Sequence, residues 1–448
     1  MADEAILVPP VVGAPVVNEK QFQMLKTAVK NDGKAFTSSK FAELEAAVRA
    51  ALTKQDSDAA LILITRGALA MGSSDVHYDR LEGAADLRFR IDGNLSAVCH
   101  FSDREYKFLL ERMKYKANLK LNIDSVPQDG KFRITDGGAK LDIRLSTLPT
   151  RYGEGCVCRI LDSTNKIPEL EDLGFMWTSK RKITQSLDKK SGMVIVTGPT
   201  GSGKTTTLYS LLTKLNTPDR KVVTLEDPVE YELPGVVQSE VNEKNGYGYA
   251  AGLKALLRQD PDVIMIGEIR DFDTANTAVQ ASLTGHLVLS TLHTKSAAET
   301  LERLLNMGVP RFNLASAADV IIAQRLVRRV CPDCAQKYEA SAQELEIIKW
   351  MMKDIGLEKL AGLREGKATL TKGAGCEKCG FSGYRRRLGV YEVLAFTDKI
   401  RDMIRTDASV ADIVAEARKT DFMTMREDGI LKAMKGLTSL PELFDVID

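Results

Sequence analysis

Residues 193–294 alternate between short apolar runs and longer helical runs, and this alternation constrains the fold more than any other feature of the chain. The apolar runs are MVIVTG (193–198), KVVTLED (221–227), DVIMIGE (262–268) and HLVLSTLHT (286–294). Helical segments such as KTTTLYSLLTKLN and DTANTAVQASL lie between them. Because short buried strands that alternate with helices form βαβ units, the sequence predicts an α/β fold built on a parallel sheet.

The run GPTGSGKTT follows the first of these strands and opens the next helix. It fits the pattern G-x4-G-K-[ST], in which backbone N–H groups and a helix N-terminus surround phosphate oxygens. Lys204 can reach the β- and γ-phosphates, and the Thr205 hydroxyl can ligate Mg2+. No N-K-x-D guanine-reading motif follows, so the sequence favours ATP. The predicted nucleotide-binding residues are Gly198, Pro199, Thr200, Gly201, Ser202, Gly203, Lys204, Thr205 and Thr206.

Two acidic residues come at the ends of predicted strands, where ligands bind in such sheets. The strand DVIMIGE ends in Gly267 and Glu268, so Glu268 takes the place of the usual aspartate. We expect it to organise Mg2+, the attacking water, or both. Glu226, in LEDPVEY, is a candidate general base or water-positioning residue. The alternatives are a surface glutamate at position 268 and a solvated turn at 225–231.

Two of the four histidines, His286 and His293, bracket the strand in TGHLVLSTLHT. Their separation of seven residues places one at each end of that strand. Beside a phosphate site, this arrangement suggests nucleotide sensing or a relay, and the alternative is a packing role for both side chains.

Four of the seven cysteines form two C-x2-C pairs, CPDC (331–334) and CEKC (376–379). Each pair can place two thiolates on one ion, and four thiolates complete a closed, structural Zn2+ site. Cys331, Cys334, Cys376 and Cys379 are therefore the predicted zinc ligands, the alternative being reduced, buried thiols. The other three cysteines lie in strand-like segments and are expected to pack in a core.

The chain is divided into four parts by composition and pattern. Residues 1–56 are predicted to be an arm with a short helical segment, and 57–162 a compact α+β domain. A polar, acidic linker is predicted at 163–177, and 178–448 would hold the α/β domain, which turns helical after about residue 296. The formal net charge is +1, so no global basic field for nucleic acid is present. Without an 18-residue apolar run or a signal peptide, the expected location is the cytoplasm.

The order and spacing of four motifs resemble those of the secretion-ATPase superfamily, in particular the ATPases of type II secretion and type IV pilus assembly. The motifs are GPTGSGKTT, LEDPVEY, LLRQDPDVIMIGEIRD and TGHLVLSTLHT, and the resemblance covers about residues 57–440. It implies a RecA-like P-loop core, a preceding smaller α+β (PAS-like) domain, and a helical C-terminal region that carries zinc. The family also has Gly-Glu at the end of this strand, as in Gly267 and Glu268 of DVIMIGE.

The same resemblance implies further site residues in the N-terminal domain. SSDVHYD, LRFRIDGNL and DIRLSTLPTRYGEGCVCRIL are similar to the family's second N-terminal domain, whose arginines act on the phosphates as a ring closes. By position these are Arg144 and Arg159. Two further candidates for the same role are Arg151, in the same domain, and Arg270, in the α/β domain. Solvated strand arginines are the alternative.

The resemblance implies a cytoplasmic, homohexameric, Mg2+-dependent ATPase that drives type IV pilus assembly. Such a ring would act on an inner-membrane platform protein and would associate with the membrane only through partners. The tetracysteine pattern favours the assembly branch over retraction motors. The alternatives are a type II secretion pseudopilus ATPase, a DNA-transfer motor, and a low-turnover ATP-binding ring component. Direct nucleic-acid binding is not expected.

Overall fold

The computed structural model describes residues 39–136, 139–161, 167–353 and 367–447. These residues build a six-stranded antiparallel sheet followed by a seven-stranded mixed sheet, each with its own helices. Among the described residues, no helix combines the length and apolar character that a membrane crossing requires.

The N-terminal sheet has the strand order β3-β2-β1-β6-β5-β4. Its strands are β1 (Ser73–Leu81), β2 (Ala84–Ile91), β3 (Asn94–Ser102), β4 (Gln128–Asp136), β5 (Ala139–Thr150) and β6 (Gly153–Leu161). Three helices accompany them, α1 (Ser39–Thr53), α2 (Ser57–Ala70) and α3 (Asp103–Lys116). Asp92 and Gly93 join β2 to β3 in a hairpin with φ angles of +47° and +94°, as a type I′ turn requires.

Helix α1 shares one hydrophobic core with this sheet. Phe41 packs edge-to-face on Phe89 with ring centroids 6.3 Å apart, and Val48 is fully buried in the same cluster. The boundary predicted between residues 56 and 57 therefore lies between two helices of one packed unit.

The second sheet has the order β15-β12-β7-β11-β10-β8-β9. Its strands are β7 (Gly192–Thr197), β8 (Val222–Glu226), β9 (Val237–Glu240), β10 (Val263–Ile266), β11 (Leu287–Leu292), β12 (Ala318–Val330) and β15 (Tyr384–Ala395). Strands β7, β8, β10 and β11 are the four predicted apolar runs, and they pair in parallel. Alternate residues of β7 enter hydrophobic clusters on opposite faces, as expected of a strand covered on both sides.

Helices pack on both faces of this sheet and beyond it. They are α4 (Trp177–Leu187), α5 (Lys204–Leu215), α6 (Tyr249–Leu256), α7 (Phe272–Leu283), α8 (Ala297–Asn306), α9 (Arg311–Ala317), α10 (Ala342–Met351), α11 (Asp398–Arg405), α12 (Val410–Arg418), α13 (Met425–Met434) and α14 (Leu440–Ile447). The C-terminal region is thus rich in helices, as predicted. The region also contains two long strands that the sequence pattern did not indicate, β12 and β15, which pair antiparallel and extend the sheet beside β7.

Much of the predicted 163–177 linker packs on the C-terminal unit. Leu170 and Leu173 are buried against the face that carries α5, and Phe175 stacks on Tyr391 with ring centroids 3.8 Å apart. Residues 162–166 lie outside the described part of the chain. The segment 167–176 therefore belongs structurally to the second unit.

Candidate functional site

The phosphate loop connects the end of β7 to the start of α5. Gly198, Gly201 and Gly203 have φ angles of +155°, +79° and +86°, which residues with a Cβ rarely adopt. A Cβ on Gly198 would lie 2.5 Å from the Ser202 Oγ and 2.6 Å from the carbonyl oxygen of Gln324. The glycines are thus required by this backbone, which leads directly into the helix N-terminus.

The loop presents its outer residues to solvent, where a ligand can reach them. Pro199, Thr200, Gly201, Thr205 and Thr206 are exposed. Backbone N–H groups of this loop are the predicted phosphate ligands, and the Thr205 hydroxyl is the predicted Mg2+ ligand.

Lys204, the first residue of α5, folds back over the loop. Its Nζ donates hydrogen bonds to the carbonyl oxygens of Gly198 (2.9 Å) and Pro199 (3.2 Å). Burial lowers the pKa of Lys204, the nearby Glu268 opposes this effect, and Arg325 adds to it. The ammonium group of Lys204 therefore lies on the phosphate loop and within the electrostatic influence of Glu268, which follows β10.

Glu268 follows β10 and is the acidic centre of the site. Its side chain is 17% exposed, and one carboxylate oxygen pairs with the guanidinium of Arg270. The other lies 3.2 Å from Nε2 of His293, which follows β11. Arg270 also lies 3.6 Å from Asp227, which follows β8. The carboxyl ends of three parallel strands thus bring Glu268, His293, Asp227 and Arg270 together.

Glu226 is placed differently from Glu268, because the protein itself occupies both of its oxygens. Its side chain is buried, with one oxygen accepting hydrogen bonds from Thr224 (2.6 Å) and Gln238 (3.2 Å) and the other from Tyr209 (2.5 Å). Burial, together with the Glu226 charge, raises the pKa of Tyr209. In this arrangement Glu226 joins β8 to helix α5 through Tyr209, and each of its oxygens accepts a hydrogen bond from the protein.

His286 lies at the opposite edge of the sheet from His293. It precedes the amino end of β11, where its Nδ1 lies 2.9 Å from the carbonyl oxygen of Ala281 and its own carbonyl accepts from the Gly192 amide. Seven steps along the strand at roughly 3.3 Å each separate the two histidines by about 23 Å. This corrects the expectation that both act at the phosphate site, because a strand cannot bring its two ends together.

Arg144 and Arg159 are directly opposite each other on β5 and β6. The Nε of Arg159 donates to the buried Asp75 at 2.8 Å, and this hydrogen bond raises the pKa of Arg159. Arg144 lies 3.8 Å from Glu230, in the loop that follows β8. Within one chain, the pair therefore contacts Asp75 and the loop after Glu226.

Sequence reasoning missed Gln324 and Arg325, two residues of β12 that reach the phosphate loop. The Gln324 amide nitrogen donates to the Ser202 carbonyl at 2.6 Å. Burial lowers the pKa of Arg325, whose guanidinium influences Lys204. A buried glutamine in the apolar run ADVIIAQRL was the available signal, but its partner is 122 residues away.

The four predicted zinc ligands form one cluster, in which all four sulfur atoms lie within 4.8 Å of one another. Strands β13 (Ala335–Glu339) and β14 (Thr369–Gly373) pair antiparallel and bring the two C-x2-C turns together. The shortest sulfur–sulfur separations are 3.7, 3.8 and 3.9 Å. A tetrahedron with Zn–S bonds of about 2.3 Å has edges of about 3.8 Å, so the cluster fits Zn2+. Cys99, Cys156 and Cys158 are buried in the N-terminal core, as predicted.

Comparison with known proteins gives a consistent set of relatives. A family model described as Type II/IV secretion system protein matches residues 55–445. The chain is 41% identical over 383 residues to the type IV pilus assembly ATPase PilB of Thermus thermophilus, covering 85% of this chain but 42% of that protein. It is 42% identical over 377 residues to type II secretion system protein E of Dickeya dadantii, covering 84% of this chain and 72% of that protein.

A solved structure of the pilus retraction motor PilT with bound ADP is similar to this fold. The TM-score is 0.55 at 26% sequence identity, and the match covers 85% of this chain and 95% of that one. The parallel sheet, the phosphate loop and the preceding antiparallel unit are therefore shared with a nucleotide-binding motor.

Proposed function

Because this chain belongs to the type II/IV secretion system protein family, we propose that it is a motor ATPase that drives assembly of a type IV pilus. One observation carries the proposal: Glu268 and His293 lie 3.2 Å apart at the carboxyl edge of the parallel sheet, at which a glycine loop shaped for phosphate also begins and holds the Lys204 ammonium. Since the chain spans 42% of the Thermus relative, the activity of the whole relative is not assumed for this chain.

The loop and the start of α5 would hold the triphosphate. Except at Pro199, which has no N–H, the backbone N–H groups of residues 198–206 would donate to phosphate oxygens, and Lys204 would contact the β- and γ-phosphates. The exposed Thr205 hydroxyl and the Glu268 carboxylate are the oxygen ligands that suit Mg2+. When bound, this ion would neutralise charge that develops on the phosphates.

Glu268 is the proposed residue that positions the attacking water and takes its proton. The Glu268 side chain is 17% exposed, whereas Glu226 is buried among Thr224, Gln238 and Tyr209, away from solvent. His293 and Arg270 would hold the Glu268 carboxylate in place from either side. Glu226 would support the site by tying β8 to Tyr209 on the helix that begins at Lys204.

The arginines would come from the N-terminal unit. Guanidinium groups at Arg144 and Arg159 would stabilise charge on the γ-phosphate in the transition state. Hydrolysis would then move the N-terminal unit against the C-terminal unit within a homohexamer. We propose that this motion acts on an inner-membrane platform protein from the cytoplasmic side.

A type II secretion pseudopilus ATPase is the second candidate. It is favoured by the 42% identity to type II secretion system protein E, of which this chain covers 72%. Neighbouring genes distinguish the two: pilin genes beside this one support the pilus, and secretin with exoprotein genes support secretion.

The test of hydrolysis compares phosphate release with Mg2+ and ATP in the wild type and in Glu268→Gln. Loss of a positioned base is expected to lower turnover by about 10²–10⁴-fold, while nucleotide binding persists. Glu302→Gln is the matched control, because Glu302 is exposed on α8. Equal background rates in the wild type and Glu268→Gln would refute the motor assignment.

A further inference from the structure

A buried set of polar contacts begins at the phosphate loop and runs through β12. Gln324 is 1% exposed, and its amide nitrogen donates to the Ser202 carbonyl in the loop at 2.6 Å. Its amide oxygen accepts from the Thr207 hydroxyl at 2.8 Å, in the first turn of α5. Both ends of the Gln324 amide therefore hold the loop and the helix that follows it.

The contacts continue on the neighbouring strand. Tyr391 lies directly opposite Gln324 in the antiparallel pairing of β12 with β15. It is 2% exposed, and its hydroxyl donates to the Leu173 carbonyl at 2.9 Å. Phe175 stacks on its ring with centroids 3.8 Å apart. Tyr391 thus holds the segment 167–176, which carries the chain from the N-terminal unit to α4.

The Thr207 hydroxyl connects the two halves of this set. An interaction with Thr207 lowers the pKa of the Tyr391 phenol, against the larger, opposite effects of burial and of Asp428. The net pKa of Tyr391 is raised, so the phenol keeps its proton and remains a donor. Thr207 is thus the shared neighbour of Gln324 and Tyr391.

We propose that Gln324 and Tyr391 are positioning residues that couple the segment 167–176 to the phosphate loop. The proposal rests on the proposed ATPase function. A buried hydroxyl needs a partner. If the Leu173 carbonyl moves away, the buried Tyr391 hydroxyl loses its acceptor, and the Tyr391 ring, on which Phe175 stacks, shifts against β12, where Gln324 lies directly opposite. The Ser202 carbonyl, and with it the shape of the loop, then responds to the position of the segment that joins the two units.

The test measures hydrogen exchange of the 167–176 amides with and without ADP and Mg2+, in the full chain. In the wild type, nucleotide is expected to change exchange in this segment at least twofold. Tyr391→Phe keeps the stacked ring and removes only the hydroxyl, and Gln324→Met alters no group that touches 167–176. Both variants are expected to lose the nucleotide-dependent change.

Tyr106→Phe is the matched control. Tyr106 is 1% exposed, and its hydroxyl donates to the Glu154 carbonyl at 2.7 Å in the N-terminal core. The substitution removes the same kind of buried hydrogen bond far from the loop. It is expected to lower thermal stability as Tyr391→Phe does, but to keep the exchange response of residues 167–176.

Dissociation constants for ADP give a second readout. Each of Tyr391→Phe and Gln324→Met is expected to weaken binding about three- to tenfold, and the double variant no more than the weaker binder of the two, because coupled residues are not additive. Multiplied effects, or a wild-type exchange response in Gln324→Met, would overturn the proposal. Gln324→Met decides alone if Tyr391→Phe does not fold. Absence of ATP turnover in the wild type would refute the motor assignment but leave this binding test intact.

Discussion

Replacing Cys376 with serine is expected to abolish the zinc site without unfolding the chain. The structure sets the geometry of that site. Sulfur–sulfur separations of 3.7–3.9 Å are the edges of a tetrahedron whose centre lies about 2.3–2.4 Å from each sulfur, which is the usual Zn–S bond length. A serine oxygen is a poorer ligand for Zn2+ than a thiolate. We therefore expect Zn2+ affinity to fall more than about 100-fold, beyond the loss typical of removing an outer partner of a ligand.

The assay combines zinc content with X-ray absorption on the purified chain. The wild type is expected to hold one Zn2+ per chain, with four sulfur neighbours at about 2.3 Å. Cys376→Ser is expected to retain less than a tenth of that zinc after dialysis against a weak chelator. Cys99→Ser is the matched control, because Cys99 is a buried cysteine of the N-terminal core and lies outside the cluster.

Two outcomes would refute this reasoning about the cysteines. One is stoichiometric zinc in Cys376→Ser, which would place the ion elsewhere. The other is a wild-type site with nitrogen or oxygen neighbours, which would show that the four sulfurs do not close around one ion. Equal zinc loss in Cys99→Ser would point instead to a general effect on folding.

Arg144→Ala is expected to lower ATP turnover about 10³-fold with unchanged melting temperature. Arg159→Ala is expected to lower turnover and also to destabilise the N-terminal unit, because the buried Asp75 loses the hydrogen bond from Arg159. Turnover assays and melting curves check both variants, and an equal loss of stability in the two would contradict the difference expected between them. Burial and, to a smaller extent, Arg90 lower the pKa of His77. As the pH falls, His77 therefore takes up its proton at a higher pH in the unfolded chain than in the folded chain. The contribution of neutral His77 to the free energy of unfolding is complete above about pH 6.5 and declines as the pH falls toward the pKa of His77 in the folded chain. His77→Asn should reduce that decline in urea titrations, and an unaltered pH slope would count against it.

The sequence alone was sufficient for the parallel strands, the phosphate loop and the four cysteines that cluster. These features depend on short-range signals. A buried parallel strand reads as a continuous apolar run. The loop needs glycines at fixed offsets because Gly198, Gly201 and Gly203 adopt positive φ angles. The two cysteines of a C-x2-C pair lie in one turn and can bind the same ion, so their spacing in the sequence already indicates that their sulfur atoms lie close together.

The roles of the two acidic residues could not be separated in the sequence. Glu226 and Glu268 both end apolar strands, and both were candidates for positioning water. The structure separates their surroundings, because Tyr209 and Thr224 donate hydrogen bonds to the oxygens of the buried Glu226. Those partners are recognisable only once α5 lies over β8.

Only the tertiary structure identified the packing partners of segments that are distant in the sequence. Helix α1 proved to be part of the N-terminal core, and residues 167–176 proved to be packed on the C-terminal unit. The apolar pattern of each segment shows that it must be buried but does not identify its partner. The order of the strands also places His286 away from the phosphate loop and brings Gln324 onto it. Periodicity and spacing fix local conformation, whereas side-chain hydrogen bonds between residues 100 or more positions apart exist only after the strands have been ordered in the sheet.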